Sequence, residues 1–147
     1  MLIREAIEKD LPEILEILSE MDQEACLDQT SARKIWDKFK EYPYYKVFVA
    51  VDEEQIIGTC SLILLDNLGH HGAGLAVAES MIIRSEYRGK GIGHLLMQHM
   101  VEQAAKENCY KLMLSSNKKR TQAHQFYERL GFQQHGISFM IEVEKSD

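Results

Sequence analysis

The apolar positions along the chain change their spacing several times, and each change marks an element. Leu2-Ile3-Arg4 reads as a short opening strand. Beyond it Leu11, Ile14, Leu15, Ile17, Leu18 and Met21 recur at near-helical spacing, which predicts an amphipathic helix. Asp10 stands where an N-cap would, Pro12 falls in the first turn, and Glu13 supplies the acidic third position of a capping-box-like start. Ile35, Trp36 and Phe39 predict a second helix, capped by Thr30 or Ser31 and closed by Pro43.

The period then shortens. Val47 to Val51 is a mostly β-branched run, and after Asp52-Glu53-Glu54-Gln55 comes a second apolar run from Ile56 to Leu65. Two such runs joined by a brief polar turn predict a β-hairpin. A loop from Asp66 to Gly74 leads into a strand over Leu75 to Ile83. From Gly91 to Glu107 the apolar residues Ile92, Leu95, Leu96, Met100, Val101 and Ala104 predict a helix with one broad buried face. Lys111 to Leu114 reads as a strand, Ala123 to Leu130 as a helix stopped by Gly131, and Phe132 with Ile137 to Val143 as one or two final strands. No repeat, low-complexity tract or linker interrupts the pattern. The expectation is one α/β domain over residues 1–147.

Composition narrows the class. A length of 147 residues suits one ordinary domain, and 45% hydrophobic with 27% charged residues is a globular balance. No apolar run approaches the roughly 18 residues of a membrane span. The first ten residues are acidic where a secretory signal would be basic and then apolar, so a cytoplasmic protein without a membrane partner is expected. The net charge of −6 disfavours general nucleic-acid binding. The 3 cysteines, Cys26, Cys60 and Cys109, are far apart and form no CxxC pair, so neither a disulfide framework nor a zinc site is expected.

Candidate chemistry concentrates in Ser80-Met81-Ile82-Ile83-Arg84-Ser85-Glu86-Tyr87-Arg88-Gly89-Lys90-Gly91-Ile92-Gly93-His94. A strand runs into a glycine-rich loop that opens a helix. Glycines at alternate positions let backbone N–H groups approach a ligand closely, and the first amides of the helix have no internal partner. With the positive end of the helix dipole, and with Arg88 and Lys90 beside it, this is a cradle for a pyrophosphate. A Walker A loop would need Ser or Thr after Lys90, where Gly91 stands, and a Rossmann fingerprint would need a third glycine at His94. Neither fits.

Arg88-Gly89-Lys90-Gly91-Ile92-Gly93 instead resembles the R/Q-x-x-G-x-G/A signature of the GNAT superfamily of N-acetyltransferases. A second motif, Phe126-Tyr127-Glu128-Arg129-Leu130-Gly131-Phe132, resembles the ending of that family's last helix. The resemblance implies a GNAT fold: a mixed, strongly twisted sheet of six to seven strands flanked by about four helices. It implies acetyl-CoA as the acetyl donor, laid into a notch between two splayed strands. Met81, Ile82 and Ile83 would then pair with the pantetheine arm, and the loop from Arg88 through Gly89, Lys90, Gly91, Ile92 and Gly93 would hold the pyrophosphate. A backbone N–H near Ile82 would polarise the thioester carbonyl.

Tyr127 matches the family's general acid for the departing thiolate; the same ring could simply anchor the last helix between Phe126 and Phe132. Glu79, just upstream of the pantetheine segment, is the candidate base; the alternatives are a solvated strand residue or a clamp for the substrate ammonium. Asn117 follows the strand where relatives place an asparagine near the pantetheine, although the common spacing falls on Arg120. The run from Leu114 to Tyr127 and the pair His70-His71 resemble aminoalkylphosphonate N-acetyltransferases, in which case Lys118, Lys119 or Arg120 would pair with an anionic substrate; the alternative is a solvated basic turn that serves only the 3′-phosphate of the cofactor. Ala78-Glu79-Ser80-Met81 lies closer to glucosamine-6-phosphate N-acetyltransferases. Trp36 and Phe39 line the acceptor pocket or belong to the core. The resemblance implies direct transfer to the primary amine of a small molecule. A protein N-acetyltransferase and a non-catalytic acyl-CoA-binding regulatory domain are the alternatives. Homodimers occur in the family, and nothing in the pattern marks an interface; no metal site is expected.

Overall fold

The computed structural model describes residues 1–23 and 25–146. Clustering of contacts divides them into two compact units, the first running to Leu114 and the second starting at Ser115. In the first unit the chain forms β1 (Leu2–Glu5), α1 (Leu11–Asp22), α2 (Gln29–Phe39), β2 (Tyr45–Asp52), β3 (Gln55–Leu65), β4 (Gly74–Ile83), α3 (Ile92–Lys106) and β5 (Cys109–Met113). The second unit carries α4 (Thr121–Arg129).

The five strands lie in sequence order in one open sheet. β1 to β4 pair antiparallel, and β5 runs parallel to β4 because α3 carries the chain back across the sheet. Alternation along β2 sorts the two faces. Val47 and Val49 join Ile14 and Ile17 of α1 in one buried cluster, whereas Ala50 joins Ile92 of α3 and Phe48 meets the ring of His99 edge-on at 5.1 Å. α1 and α2 thus cover one face and α3 the other. Ile17, Leu62, Leu96 and Met100 are wholly buried between these layers.

The expected six to seven strands are not found: the sheet has five, and no strand follows β5 among the described residues. Ile137, Phe139, Ile141 and Val143 keep the strand-like alternation, yet all are more than four-fifths exposed. Alternation measures how well a segment would suit a half-buried pleat. It does not supply the neighbouring edge that a ladder needs.

The expected caps hold only in part: Asp10 is the N-cap residue of α1 but makes no side-chain cap bond, and the cap of α2 is not Thr30 or Ser31. A 3-10 turn (Glu8–Asp10) precedes α1 and places Asp10 in helical geometry, where its side chain cannot cap. The Asp10 carboxylate instead accepts bonds from both Arg4 guanidinium nitrogens (2.6 and 3.0 Å) and from the Ile7 N–H (2.8 Å). Glu13 accepts from the Ile56 N–H on β3 at 2.9 Å rather than closing a capping box. At α2 the cap is Asp28, which accepts from the Ser31 N–H at 2.9 Å.

The Arg4 hydrogen bond, helped by the Ile7 N–H and opposed by burial, holds the Asp10 carboxyl below the usual carboxylate range. A lowered carboxyl stabilises the fold fully above its ordinary pKa and loses that contribution as pH falls through its native value. Asp10→Asn is expected to cost about 1–3 kcal/mol near neutral pH. The gap between variant and native protein should narrow below about pH 4, the ordinary aspartate range, in urea unfolding at several pH values.

Candidate active site

β4 is paired with β5 only over its first residues. The parallel ladder joins Gly74–Val77 to Cys109–Met113 and then ends, while β4 continues to Ile83. Among the described residues β4 therefore has, from Ala78 onward, β3 on one side and no strand on the other. A strand edge without a ladder partner is one that an extended ligand arm can join as a strand would.

A bulge lies on this open stretch. Ser61 faces Glu79 and Thr59 faces Ile82, so the single residue Cys60 stands against both Ser80 and Met81. Ser80 takes the left-handed conformation, φ +52°, that a non-glycine residue adopts rarely. The extra residue has a consequence for side chains. Glu79 and Ile82, three apart, share the α1/α2 face, whereas three residues of regular strand would put them on opposite faces. Ile82 buries its side chain in the cluster with Ile14 and Ile17, and Ile83 packs beside Ile57 and Ile92 on the α3 side. Met81, Ile82 and Ile83 can therefore meet a ligand chiefly through backbone.

Gly58 makes this arrangement fit and was not legible as a site residue. A methyl group at its Cα would lie 2.5 Å from Ile83 Cδ1 and 3.2 Å from the Ile82 carbonyl oxygen. Gly58→Ala should push the end of β4 aside. The expected result is a loss of about 1–3 kcal/mol of stability by chemical denaturation, together with a raised KM for acetyl-CoA in kinetics.

After β4 the chain makes a 3-10 turn (Ser85–Tyr87) and enters the glycine loop. Gly89 (φ +75°) and Gly91 (φ +80°) are both left-handed, with open space where a Cβ would point. Gly91 is the N-cap of α3, and the Leu95 N–H bonds to its carbonyl at 3.2 Å. The amides before Leu95, including those of Ile92 and Gly93, head the helix without i−4 partners within it. An anion seated there would meet N–H groups and the positive end of the dipole together.

The loop is braced by its own cations. Arg88 Nε donates to the Ile83 carbonyl at 3.0 Å, so one backbone acceptor expected for pantetheine is already engaged. Lys90 Nζ stands over the Tyr87 ring, 4.8 Å from its centre. Glu86 bonds to the Ser85 hydroxyl at 3.0 Å, and local hydrogen bonds keep its carboxyl below the ordinary range. Below the loop Arg84 is buried: its Nε donates to the Ile56 carbonyl at 2.8 Å and its terminal nitrogens to Glu16 at 3.3 and 3.2 Å. No sequence pattern singles out Arg84, since a lone arginine after an apolar strand reads as solvated.

Glu79 is exposed on β4, one residue before the bulge. The nearby thiol of Cys60 is wholly buried, and desolvation pushes its pKa up to about 12. It is therefore protonated near neutral pH and unsuited to carry an acyl group. Burial also raises the Cys109 thiol. Trp36 and Phe39 pack against the core on the α1/α2 side and, with Tyr42, Tyr45 and Lys46, line a cleft of about 240 Å³.

In the second unit Tyr127 lies on α4, its ring edge-on to Phe126 (5.2 Å) and Phe132 (5.8 Å). The Tyr127 carbonyl accepts from the Leu130 and Phe132 N–H groups, and Gly131, φ +93°, turns the chain out of the helix. Asn117 closes a turn, its Oδ1 accepting from the Lys119 N–H at 2.9 Å. Lys118, Lys119 and Arg120 are exposed. His70 stacks on Tyr110 at 4.0 Å in the first unit. Among the described residues no group of three His, Cys, Asp or Glu side chains is placed to hold a metal, and no helix is long and apolar enough to cross a membrane.

The sheet and glycine loop are those of an acyl-CoA-dependent acetyltransferase, a class that the chain's relatives establish. The chain belongs to the acetyltransferase (GNAT) family, whose pattern it matches over residues 11–132. Members of that family use acetyl-CoA as the acetyl donor. The chain is 29% identical over 137 residues to a glucosamine 6-phosphate N-acetyltransferase of Trypanosoma brucei brucei, covering 92% of this chain and 91% of that one. It is 28% identical over 127 residues to an aminoalkylphosphonate N-acetyltransferase of Salmonella typhimurium, with 86% and 78% covered. A solved acetyltransferase of Trypanosoma brucei, 27% identical, superposes with a TM-score of 0.83 over 97% of this chain and 99% of that one.

Proposed function

We propose that this protein transfers the acetyl group of acetyl-CoA directly to the primary amine of a small molecule that carries a phosphate or phosphonate. The observation that supports the transfer is the continuity from the open edge of β4, Ala78 to Ile83, into the left-handed glycines at the head of α3. The substrate class rests on the two relatives above, whose named acceptors both join an amine to a phosphorus oxyanion. The reading takes residues 1–147 as one acetyltransferase domain.

In this mechanism backbone amides of Arg88, Gly89, Lys90, Gly91, Ile92 and Gly93 hold the pyrophosphate. The edge of Met81, Ile82 and Ile83 orients the pantetheine arm, and Asn117 takes the part that the family resemblance gives an asparagine after β5. An amide near Ile82 meets the carbonyl oxygen as negative charge develops on it. Glu79, directly or through water, takes one proton from the ammonium, since only the free amine is a nucleophile. The new C–N bond forms as the C–S bond breaks, Tyr127 hands its phenolic proton to the departing sulfur, and the second proton that the new amide nitrogen sheds returns through water to the Tyr127 phenolate. The buried, protonated Cys60 supports direct transfer over an acetylated thiol on the enzyme.

The test is thiol release from acetyl-CoA across aminoalkylphosphonates, aminosugar phosphates, polyamines and amino acids. Turnover confined to the phosphorus-bearing amines is the expected result. Turnover on none of them, with acetyl-CoA still bound, would leave a protein acceptor or a non-catalytic role as the better reading.

A further inference from the structure

Three strands bring a row of polar side chains onto the α1/α2 face. Val47 on β2 faces Ser61 on β3, which faces Glu79 on β4. Tyr45 precedes Val47 by one strand period, on the same face, and is therefore diagonal to Ser61 across the β2–β3 pair. The neighbours on this face are Val47, Val49, Ile56 and Ile82, all buried and apolar, and Thr59, whose hydroxyl is satisfied by the Phe48 carbonyl at 3.1 Å. Two hydroxyls leading to a carboxylate across such a surface are not explained by packing.

The geometry is held firmly. Tyr45 stacks on Phe39 of α2, ring centres 4.0 Å apart and planes 9° from parallel, and Tyr42 meets its other side edge-on at 5.5 Å. Ser61 is buried in the middle strand. Glu79 is held on this face by the bulge at Ser80, next to the open β4 edge. Resting on the acetyl-transfer reading above, we propose that Glu79, Ser61 and Tyr45 form the seat of the acceptor amine, three oxygens matched to the three N–H groups of a primary ammonium. Glu79 takes one proton. Ser61 and Tyr45 accept the remaining two N–H bonds and so aim the nitrogen lone pair at the thioester carbon. A tertiary amine would leave the seat's oxygens unpaired, so the site selects primary amines.

The experiment measures both KM values and kcat for Ser61→Ala and Tyr45→Phe with the best amine of the panel. Tyr45→Phe keeps the stacked ring, and thermal melting of each variant reports whether the fold is intact. Each variant should raise the amine KM about tenfold, the worth of one hydrogen bond to a charged or reacting group, and leave the acetyl-CoA KM within about twofold. An unchanged amine KM in both folded variants, or an acetyl-CoA KM that rises in step, overturns the seat while native turnover keeps the acetyl-transfer reading. A native enzyme silent on every amine overturns both.

Discussion

Tyr127→Phe is expected to lower kcat by roughly 10²–10³-fold near neutral pH, with little change in either KM. The reason lies in the role proposed for the phenol: a CoA thiolate leaves more readily when a proton meets the sulfur as the C–S bond breaks. Phenylalanine preserves the edge-on contacts to Phe126 and Phe132, so the anchoring of α4 should survive. Far-UV circular dichroism and thermal melting check that half. A raised acceptor pH in the assay should narrow the gap between variant and native enzyme only if proton donation limits turnover. Full activity in Tyr127→Phe would reduce the tyrosine to a packing residue and move the proton donor to water.

Arg84→Ala should give the largest loss of stability, about 2–4 kcal/mol in chemical denaturation. The guanidinium is almost completely buried at the foot of the loop, and it satisfies the Ile56 carbonyl while holding Glu16 on α1. Truncation strands that carbonyl and leaves a cavity where the side-chain stem was packed. Arg84 N–H also bonds to the Ile57 carbonyl at 2.9 Å, so the variant keeps its backbone tie and loses only the side chain's. Because Arg84 joins the last residue of β4 to the turn before Arg88, loosening it should also raise the KM for acetyl-CoA. Glu16 is mostly exposed, and Arg84 lowers its carboxyl chiefly through their hydrogen bond. That contribution is present above the ordinary glutamate pKa and fades as pH falls through the lowered value.

Some of this site could be read directly. Gly89 and Gly91 sit in the left-handed conformations that only glycine takes without strain, so the loop announces itself in residue type. Gly131 ends α4 for the same reason. The hairpin of β2 and β3 follows from two β-branched runs and a short turn, although the turn places Glu53 and Glu54, not glycine, at φ +45° and +72°. Asp10 stands at the head of α1 as expected, but the preceding 3-10 turn takes its side chain out of capping geometry, and at α2 the cap is Asp28, upstream of Thr30 and Ser31.

What the sequence determined by itself is whatever depends on neighbours within a few residues: helix periods, the glycine-built turn, the order of strands and helices, and the motif pair around Arg88 and Tyr127. What only the tertiary structure decided depends on residues far apart in the chain. The early end of the β4–β5 ladder, the bulge that keeps Glu79 beside Ile82, the close pass of Gly58 under Ile83 and the Tyr45–Ser61–Glu79 row each require strands from different parts of the chain to meet in one register. The same holds for the strands expected after α4, where suitable side chains occur without a ladder. Local conformational preference is written residue by residue, but register is fixed by which surfaces bury together, and that is a property of the assembled sheet.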